Sequence, residues 1–310
     1  MRVLVTGGAG FIGSHLCEAL IKKGLRVICV DNLITGSEKN IAHLRGSKYF
    51  KFLKQDIIKD LDLNLDLDYL FHLASPASPY DFEKLAEEIA LVNTIGTINM
   101  LNLARKTRAR FLLGSTSEVY GDPKEHPQKE SYLGNVNSFG PRSCYDESKR
   151  FGEAMTYIYL RKYSLDARVV RIFNTYGPRM RRDDGRAVSN FVNQAISGKP
   201  LTVYGKGSQT RSFCYVDDMV DGLMKVMFSE KAKGEVINLG NPEEYNILDL
   251  TKKIRKMTGS KSKIVYSALP PDDPLQREPD ISKAKKLLGW SPKVSLSEGL
   301  KKTIEYYESL

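Results

Sequence analysis

Tyr145 and Lys149 are one helical turn apart, so on a helix both side chains share a face. A lysine ammonium beside a tyrosine hydroxyl favours the phenolate and lowers its pKa. A tyrosine in that state serves as a base near neutral pH. The spacing alone is common, and Tyr80/Lys84 and Tyr120/Lys124 repeat it. Gly121, Asp122 and Pro123 lie inside the last pair and do not support a helix. Tyr80 follows Pro79 and has no hydroxyl partner upstream, whereas Tyr145 heads a long helical pattern. Earlier in the chain Ser115, Thr116, Ser117 and Glu118 follow the apolar run 111–113. Hydroxyls at the C-terminal end of a strand point into the crevice where ligands bind in open α/β sheets.

The elements that would position these groups begin at the N-terminus. Residues 6–13 read TGGAGFIG, directly after the apolar run Val3, Leu4, Val5. This is a strand, a glycine-rich turn and a helix start. The spacing is GxxGxxG, with Gly7, Gly10 and Gly13 letting the backbone pass close to a pyrophosphate at a helix N-terminus. Leu16, Ala19 and Leu20 continue an apolar helical face, Gly24 ends it, and a second strand over 25–30 leads to Asp31. An acidic residue about 20 positions past the glycines binds the adenosine ribose hydroxyls and repels a 2′-phosphate, so the expected cofactor is NAD rather than NADP. Strand-like runs recur at 69–73, 110–113, 167–173 and 236–239, alternating with helical patterns at 82–105, 147–163 and 216–228. The alternation predicts an α/β, Rossmann-like doubly wound parallel sheet with a smaller C-terminal substrate-binding region. We expect an NAD-binding domain over 1–173, with a return segment at about 212–235, and a mainly substrate-binding region over 174–310. Loops rich in Arg, Gly and Pro at 176–186, 204–211 and 269–279 belong to the latter.

Composition narrows the function classes. Apolar residues make up 41% of the chain, ordinary for a soluble globular protein, and no apolar run approaches the ~18 residues of a membrane span. Residue 2 already opens a core strand, so no signal peptide is expected. Cys17, Cys29, Cys144 and Cys214 show no CxxC pairing, so the expected compartment is reducing and cytoplasmic. His15, His43, His72 and His126 have no metal-ligand spacing, and no metal is expected. The net charge of +10 reflects lysines on amphipathic helical segments near the C-terminus. Aromatic RNA-binding motifs are absent, so the expected partner is a small anionic substrate rather than nucleic acid.

The glycine-rich turn, Asp31, the strand ending in Ser-Thr-Ser and the YxxxK together resemble the extended short-chain dehydrogenase/reductases. Asn93 with Gly96 and Thr97 resembles their central-helix motif, and Arg277 to Asp280 resembles their RxxD motif. Longer strings are similar to the UDP-glucuronate decarboxylases within that superfamily: HLASPASP from His72, GSTSEVYGDP from Gly114, RSCYDESKR from Arg142, RIFNTYGPRM from Arg171 and LTVYGKGSQTRSFCYV from Leu201. The resemblance implies a catalytic set of Thr116, Glu118, Tyr145 and Lys149. It implies a cofactor set of Gly7, Gly10, Phe11, Ile12, Gly13, Asp31, Asn32, Thr35, Gly36, Asp56, Ile57, Leu73, Ala74 and Ser75, joined by Tyr145 and Lys149. Asn174, Arg186, Tyr204, Arg211 and Arg277 are the implied substrate contacts, with Arg186 and Arg211 in loops suited to clamping a diphosphate bidentately. Arg277 would hold the diphosphate or the uronate.

The implied reaction is a transient oxidation at sugar C4 by tightly held NAD, followed by loss of carbon dioxide and return of the hydride, giving UDP-xylose from UDP-glucuronate. Family members commonly pair as homodimers through a four-helix bundle. The pattern departs at Leu91, where members carry a lysine near the substrate, and at Ser148, where glycine is usual. The alternatives on the same fold are a dTDP-glucose 4,6-dehydratase or a UDP-sugar 4-epimerase. A dehydratase carries an acid at the position of Ser117. A non-catalytic NAD sensor would have no need of Thr116, Tyr145 and Lys149 together.

Overall fold

Val3, Leu4 and Val5 are all fully buried, but they belong to opposite sides of one sheet. Val3 and Val5 join one apolar cluster and Leu4 the other. A strand buried on both faces reads as a continuous apolar run, and it needs helices above and below it. The computed structural model describes residues 1–59, 61, 66–269 and 276–310.

In chain order the elements are β1 (Arg2–Thr6), α1 (Phe11–Lys22), β2 (Arg26–Asp31), β3 (Phe50–Lys54), β4 (Tyr69–His72), α2 (Ala86–Leu91), α3 (Thr97–Thr107), β5 (Arg110–Thr116), α4 (Ser143–Tyr163), β6 (Ala167–Ile172) and β7 (Thr175–Tyr176). They continue as α5 (Ala187–Ile196), β8 (Leu201–Tyr204), β9 (Thr210–Ser212), β10 (Cys214–Tyr215), α6 (Val216–Phe228), β11 (Val236–Leu239), β12 (Glu244–Asn246), α7 (Ile247–Met257), β13 (Ile264–Ser267), α8 (Ser282–Leu288) and α9 (Leu296–Glu308). A π-turn over Val92–Gly96 joins α2 to α3.

Seven strands form the main sheet in the order β11-β6-β5-β4-β1-β2-β3, and every pairing is parallel. The sheet grows outward from β1 in both directions, through β2 on one side and β4 on the other. A doubly wound parallel sheet was the expected fold class. The crevice at this reversal, beyond the strands' C-terminal ends, is where such sheets bind ligands. Residues 7, 31–32, 73 and 116 all emerge there. The strand-like runs of the sequence did not include β3. Its FKFLK alternates imperfectly and exposes Lys51 and Lys54, as suits an edge strand kept from pairing further.

Beyond β6 the chain forms three two-stranded pairs: β7 with β10, β9 with β12, and β8 with β13. The loop expected at 269–279 lies outside the described residues over 270–275. Its last part is ordered: Gln128 N donates to the Glu278 carbonyl at 2.9 Å, and Asp280 N donates to the Gln128 carbonyl at 2.9 Å.

Candidate active site

The glycine-rich turn is built so that nothing larger than hydrogen fits. Gly7 has φ +69°, and a Cβ on it would meet the Ala74 Cα at 2.8 Å. A Cβ on Gly13 would fall 2.1 Å from the Gly7 carbonyl oxygen. Gly10 is the N-cap of α1 and has no side chain to cap the first-turn N–H groups. That leaves unpaired donors and a positive dipole end at the cleft, the standard reception for a pyrophosphate.

Asp31 ends β2 and organises the next wall. Its Oδ2 accepts from Ala9 N at 3.0 Å and its Oδ1 from Leu33 N at 2.8 Å. Burial raises its pKa, and these N–H donors oppose the rise. Asn32 Nδ2 donates to Asp56 Oδ2 at 3.0 Å. On the β4 side Thr6 Oγ1 accepts from Leu73 N at 3.1 Å and Ala74 N at 3.2 Å, which fixes the loop at 73–75. His72 bridges Thr6 Oγ1 and Thr97 Oγ1 at 2.8 and 2.9 Å. Burial, helped by the Lys149 charge, lowers its pKa to about 3, so it is a neutral core group.

These donors, the close backbone passage and the carboxylate at the end of β2 fit a dinucleotide. We expect NAD to bind at least about tenfold tighter than NADP, since a carboxylate facing a 2′-phosphate costs well over the ~1.4 kcal/mol that this ratio needs. Fluorescence titration of both dinucleotides checks this, and equal affinities would remove Asp31 as the selector.

Tyr145 lies in the first turn of α4, only 5% exposed. Thr116 is the side-chain neighbour that opposes the rise in its pKa, and the Phe82 ring stacks on Tyr145 with centroids 5.1 Å apart. The other two YxxxK pairs are excluded on geometry. Tyr80 is 50% exposed, with Lys84 Nζ on its hydroxyl at 2.7 Å. Tyr120 is buried in a 3-10 turn, where its hydroxyl donates to Asn238 Oδ1 and accepts from Arg171.

One expectation needs correction. The Lys149 ammonium does not lower the Tyr145 pKa in this state. Lys149 Nζ donates to the Gly114 carbonyl at 3.0 Å and sits 5.7 Å from the Tyr145 ring centroid. Burial pushes Tyr145 up to about 12 and brings Lys149 down to about 7. Both groups therefore favour their neutral forms in a dry pocket.

Glu118 follows Thr116 in the 3-10 turn after β5 and sits between two guanidiniums. Arg142 Nη2 donates to its Oε2 at 2.5 Å, and Arg277 Nη1 donates to its Oε1. Arg277 Nη2 also donates to the Gly121 carbonyl at 2.8 Å. Burial by itself would raise the Glu118 pKa, but the Arg277 and Arg142 charges outweigh it and hold the carboxyl down to about 2.

Every residue expected in the site lines one cleft of about 820 Å³, except Gly36. Gly36 stands behind it, where a Cβ would meet Asp31 Oδ1 at 2.7 Å. One of the two expected clamps, Arg186, is engaged within the protein. Arg186 makes a bidentate pair with Asp184 at 2.5 and 2.8 Å, which secures the segment between β7 and α5. Arg181 does the same with Asp81 at 2.9 and 3.0 Å. Arg277 is fully buried against Glu118 and lines the same cleft. Asn174, Tyr204 and Arg211 line the cleft on the β7–β9 side.

The sequence reading missed Arg142 and Phe82, which no spacing rule marks. It also missed that His126 Nε2 lies 3.0 Å from the carboxylates of both Glu244 and Glu278, which are distant in sequence. Among the described residues no helix is long and apolar enough to cross a membrane.

Comparison with known proteins agrees with this geometry. The family model for GDP-mannose 4,6 dehydratase matches residues 4–303. UDP-glucuronic acid decarboxylase 1 of Danio rerio is 51% identical over 306 residues, covering 99% of this chain and 72% of that protein. UDP-glucuronic acid decarboxylase 6 of Arabidopsis thaliana is 50% identical over 301 residues, covering 97% of this chain and 87% of its own length. The UDP-glucuronic acid 4-epimerase of Bacillus cereus, solved with UDP-glucuronic acid and NAD, superposes with a TM-score of 0.91 at 34% identity, over 100% of this chain and 99% of that one. The chain therefore belongs to the extended short-chain dehydrogenase/reductases described by the GDP-mannose 4,6-dehydratase model, and within them to the UDP-glucuronic acid decarboxylase family.

Proposed function

We propose that this protein decarboxylates UDP-glucuronate to UDP-xylose, with Tyr145, Thr116 and Glu118 as its reacting-centre groups. The carrying observation is the join at the end of β5. Thr116, Tyr145 and the Glu118 carboxylate, held by Arg142 and Arg277, line the same cleft as the glycine-rich turn.

The enzyme is an NAD-dependent carboxy-lyase. NAD, when bound, supplies the hydride acceptor for C4 and a positive charge that favours the phenolate. Tyr145 takes the proton of the C4 hydroxyl, and Thr116 hydrogen-bonds the same oxygen. The resulting 4-ketone lies β to the C5 carboxylate, so carbon dioxide leaves with its bonding electrons flowing into the carbonyl. Protonated Tyr145 and Thr116 then donate to the developing enolate oxygen. Glu118 orients the ring and orders water near C5, where a proton replaces the lost carboxylate; C4 then regains its hydride, and Tyr145 returns the proton to the C4 oxygen. Lys149 holds the base of the pocket through Gly114. Decarboxylation of a β-keto acid is intrinsically easy, so the site's main work is orientation.

In this reading residues 1–173, with the return segment near 212–235, hold the cofactor, and 174–310 hold the nucleotide sugar through Asn174, Tyr204, Arg211 and Arg277. Arg186 positions the β7–α5 segment through Asp184. With Leu91 in place of a lysine, Arg277 and Arg142 are the nearest cations for the uronate. The protein acts as a cytoplasmic homodimer. The exposed apolar residues Ile95, Phe151, Tyr157 and Ile158, on the α2–α3 connection and on α4, supply a pairing face, and the four cysteines are free thiols.

The test offers UDP-glucuronate and dTDP-glucose side by side with NAD and follows product masses. We expect a UDP-pentose from the first and no change in the second. A 4-keto-6-deoxy product from dTDP-glucose, with UDP-glucuronate untouched, would reverse the assignment.

A further inference from the structure

Glu118 is not the only carboxyl beside the reacting centre. Asp146 follows Tyr145 in the first turn of α4 and is only 5% exposed. Among the described residues its Oδ1 has no hydrogen-bond partner, and its Oδ2 is 3.9 Å from Arg142 Nε. That same guanidinium gives Nη2 to Glu118 at 2.5 Å and lies 5.3 Å over the Phe82 ring that stacks on Tyr145. Two carboxyls therefore share one arginine, and Glu118 has the better geometry.

A buried carboxylate with one bare oxygen and a stretched ion pair is costly, and the protonated acid avoids most of that cost. The charged groups that act on Asp146 are Glu118 from the turn after β5, Arg142 one helical turn before it, Arg277 from the far loop, and Glu147 beside it. Arg150, one turn on, donates to the Val119 and Leu133 carbonyls and approaches Glu147. Among the described residues the ion pair of Asp146 with Arg142 is therefore shared with Glu118.

We propose that Asp146 holds a proton in the active enzyme and acts as a positioning residue for Glu118. Protonated, it leaves Arg142 to Glu118. Ionised, with its proton released to solvent, it draws Arg142 toward itself and slackens the Arg142–Glu118–Arg277 chain. Burial first, and the Glu118 charge second, push the Asp146 carboxyl up to about 7, so the change falls in the working pH range. The kinetic part of this inference rests on the decarboxylase reading.

The experiment measures kcat and KM for UDP-glucuronate against pH, with NAD present, for wild type, Asp146→Asn and Asp146→Ser. Asparagine mimics the neutral acid, and serine removes the ionisable group if asparagine impairs folding. The wild type should lose about tenfold in kcat as pH rises through the Asp146 transition, as expected of a misplaced rather than a missing group. Either variant should be flat over that range, with asparagine the more active of the two. A variant that keeps the wild-type inflection overturns the proposal. An infrared difference spectrum, wild type minus variant, below the transition should show the carbonyl stretch of one protonated carboxyl. Carboxylate bands alone would also overturn it. The infrared result stands even if the wild type turns over no UDP-glucuronate, so the two readings fail separately.

Discussion

Tyr145→Phe lowers kcat by about 10²-fold or more and leaves NAD affinity within about twofold, the scale of a lost general base whose ring remains in place. The ring packs on Phe82 in a buried stack, and phenylalanine preserves that contact. Only the hydroxyl beside Thr116 is lost. The glycine-rich turn and Asp31 are untouched, so cofactor binding persists. Tyr80→Phe is the internal control. Its hydroxyl meets only the exposed Lys84, and its removal should change kcat by less than about twofold. Steady-state kinetics and an NAD titration on both variants decide between them. A damaging Tyr80→Phe beside a benign Tyr145→Phe would move the chemistry to the wrong pair.

Arg277→Met is expected to cost about 3–5 kcal/mol of stability as well as most of the activity, the usual result of removing one partner from a buried ion pair. Arg277 is 2% exposed, and without it Glu118 keeps its ion pair with Arg142 and the weaker influence of the Arg211 charge. The pH dependence carries a sign. In the wild type the Glu118 carboxyl is held at about 2, below its ordinary 4.5. Its contribution to stability is complete above about pH 4.5 and is lost as the pH falls toward 2. The variant should lose part of that acid-side dependence, because its Glu118 pKa rises. Adding Glu118→Gln to Arg277→Met should recover part of the stability and none of the activity, since the stranded charge is gone but the group that orders the ring is gone too. Denaturant unfolding at pH 7 and pH 4 checks both statements. A loss under about 1 kcal/mol would show that Arg142 alone satisfies Glu118.

The parts of this site readable from sequence are those encoded within one element. Val3 to Val5, the glycines, Asp31 and the Ser-Thr-Ser end of β5 are local, because a parallel strand and its turn carry their pattern in consecutive residues. Tyr145 and Lys149 share a helix face for the same reason. What stayed hidden is what residues far apart do to one another. Arg186 looked like a free clamp, but the fold gives it Asp184. Arg277 was read toward the substrate, and nothing local showed that the fold also sets Glu118 against it from a segment distant in sequence. Lys149 looked like a charge aimed at Tyr145, but burial lowers its own pKa and the Gly114 carbonyl takes its proton donor. β3 was hidden by its lysines, since an edge strand gives up apolar alternation to avoid further pairing.

The most direct test of the central claim is to incubate the protein with UDP-glucuronate and NAD in deuterium oxide and to weigh the nucleotide product. The account predicts a UDP-pentose lacking one carbon dioxide and carrying one non-exchangeable deuterium at C5, with NAD oxidised at the end as at the start. A UDP-hexuronate of unchanged carbon count, inverted at C4, would contradict it and make the chain an epimerase.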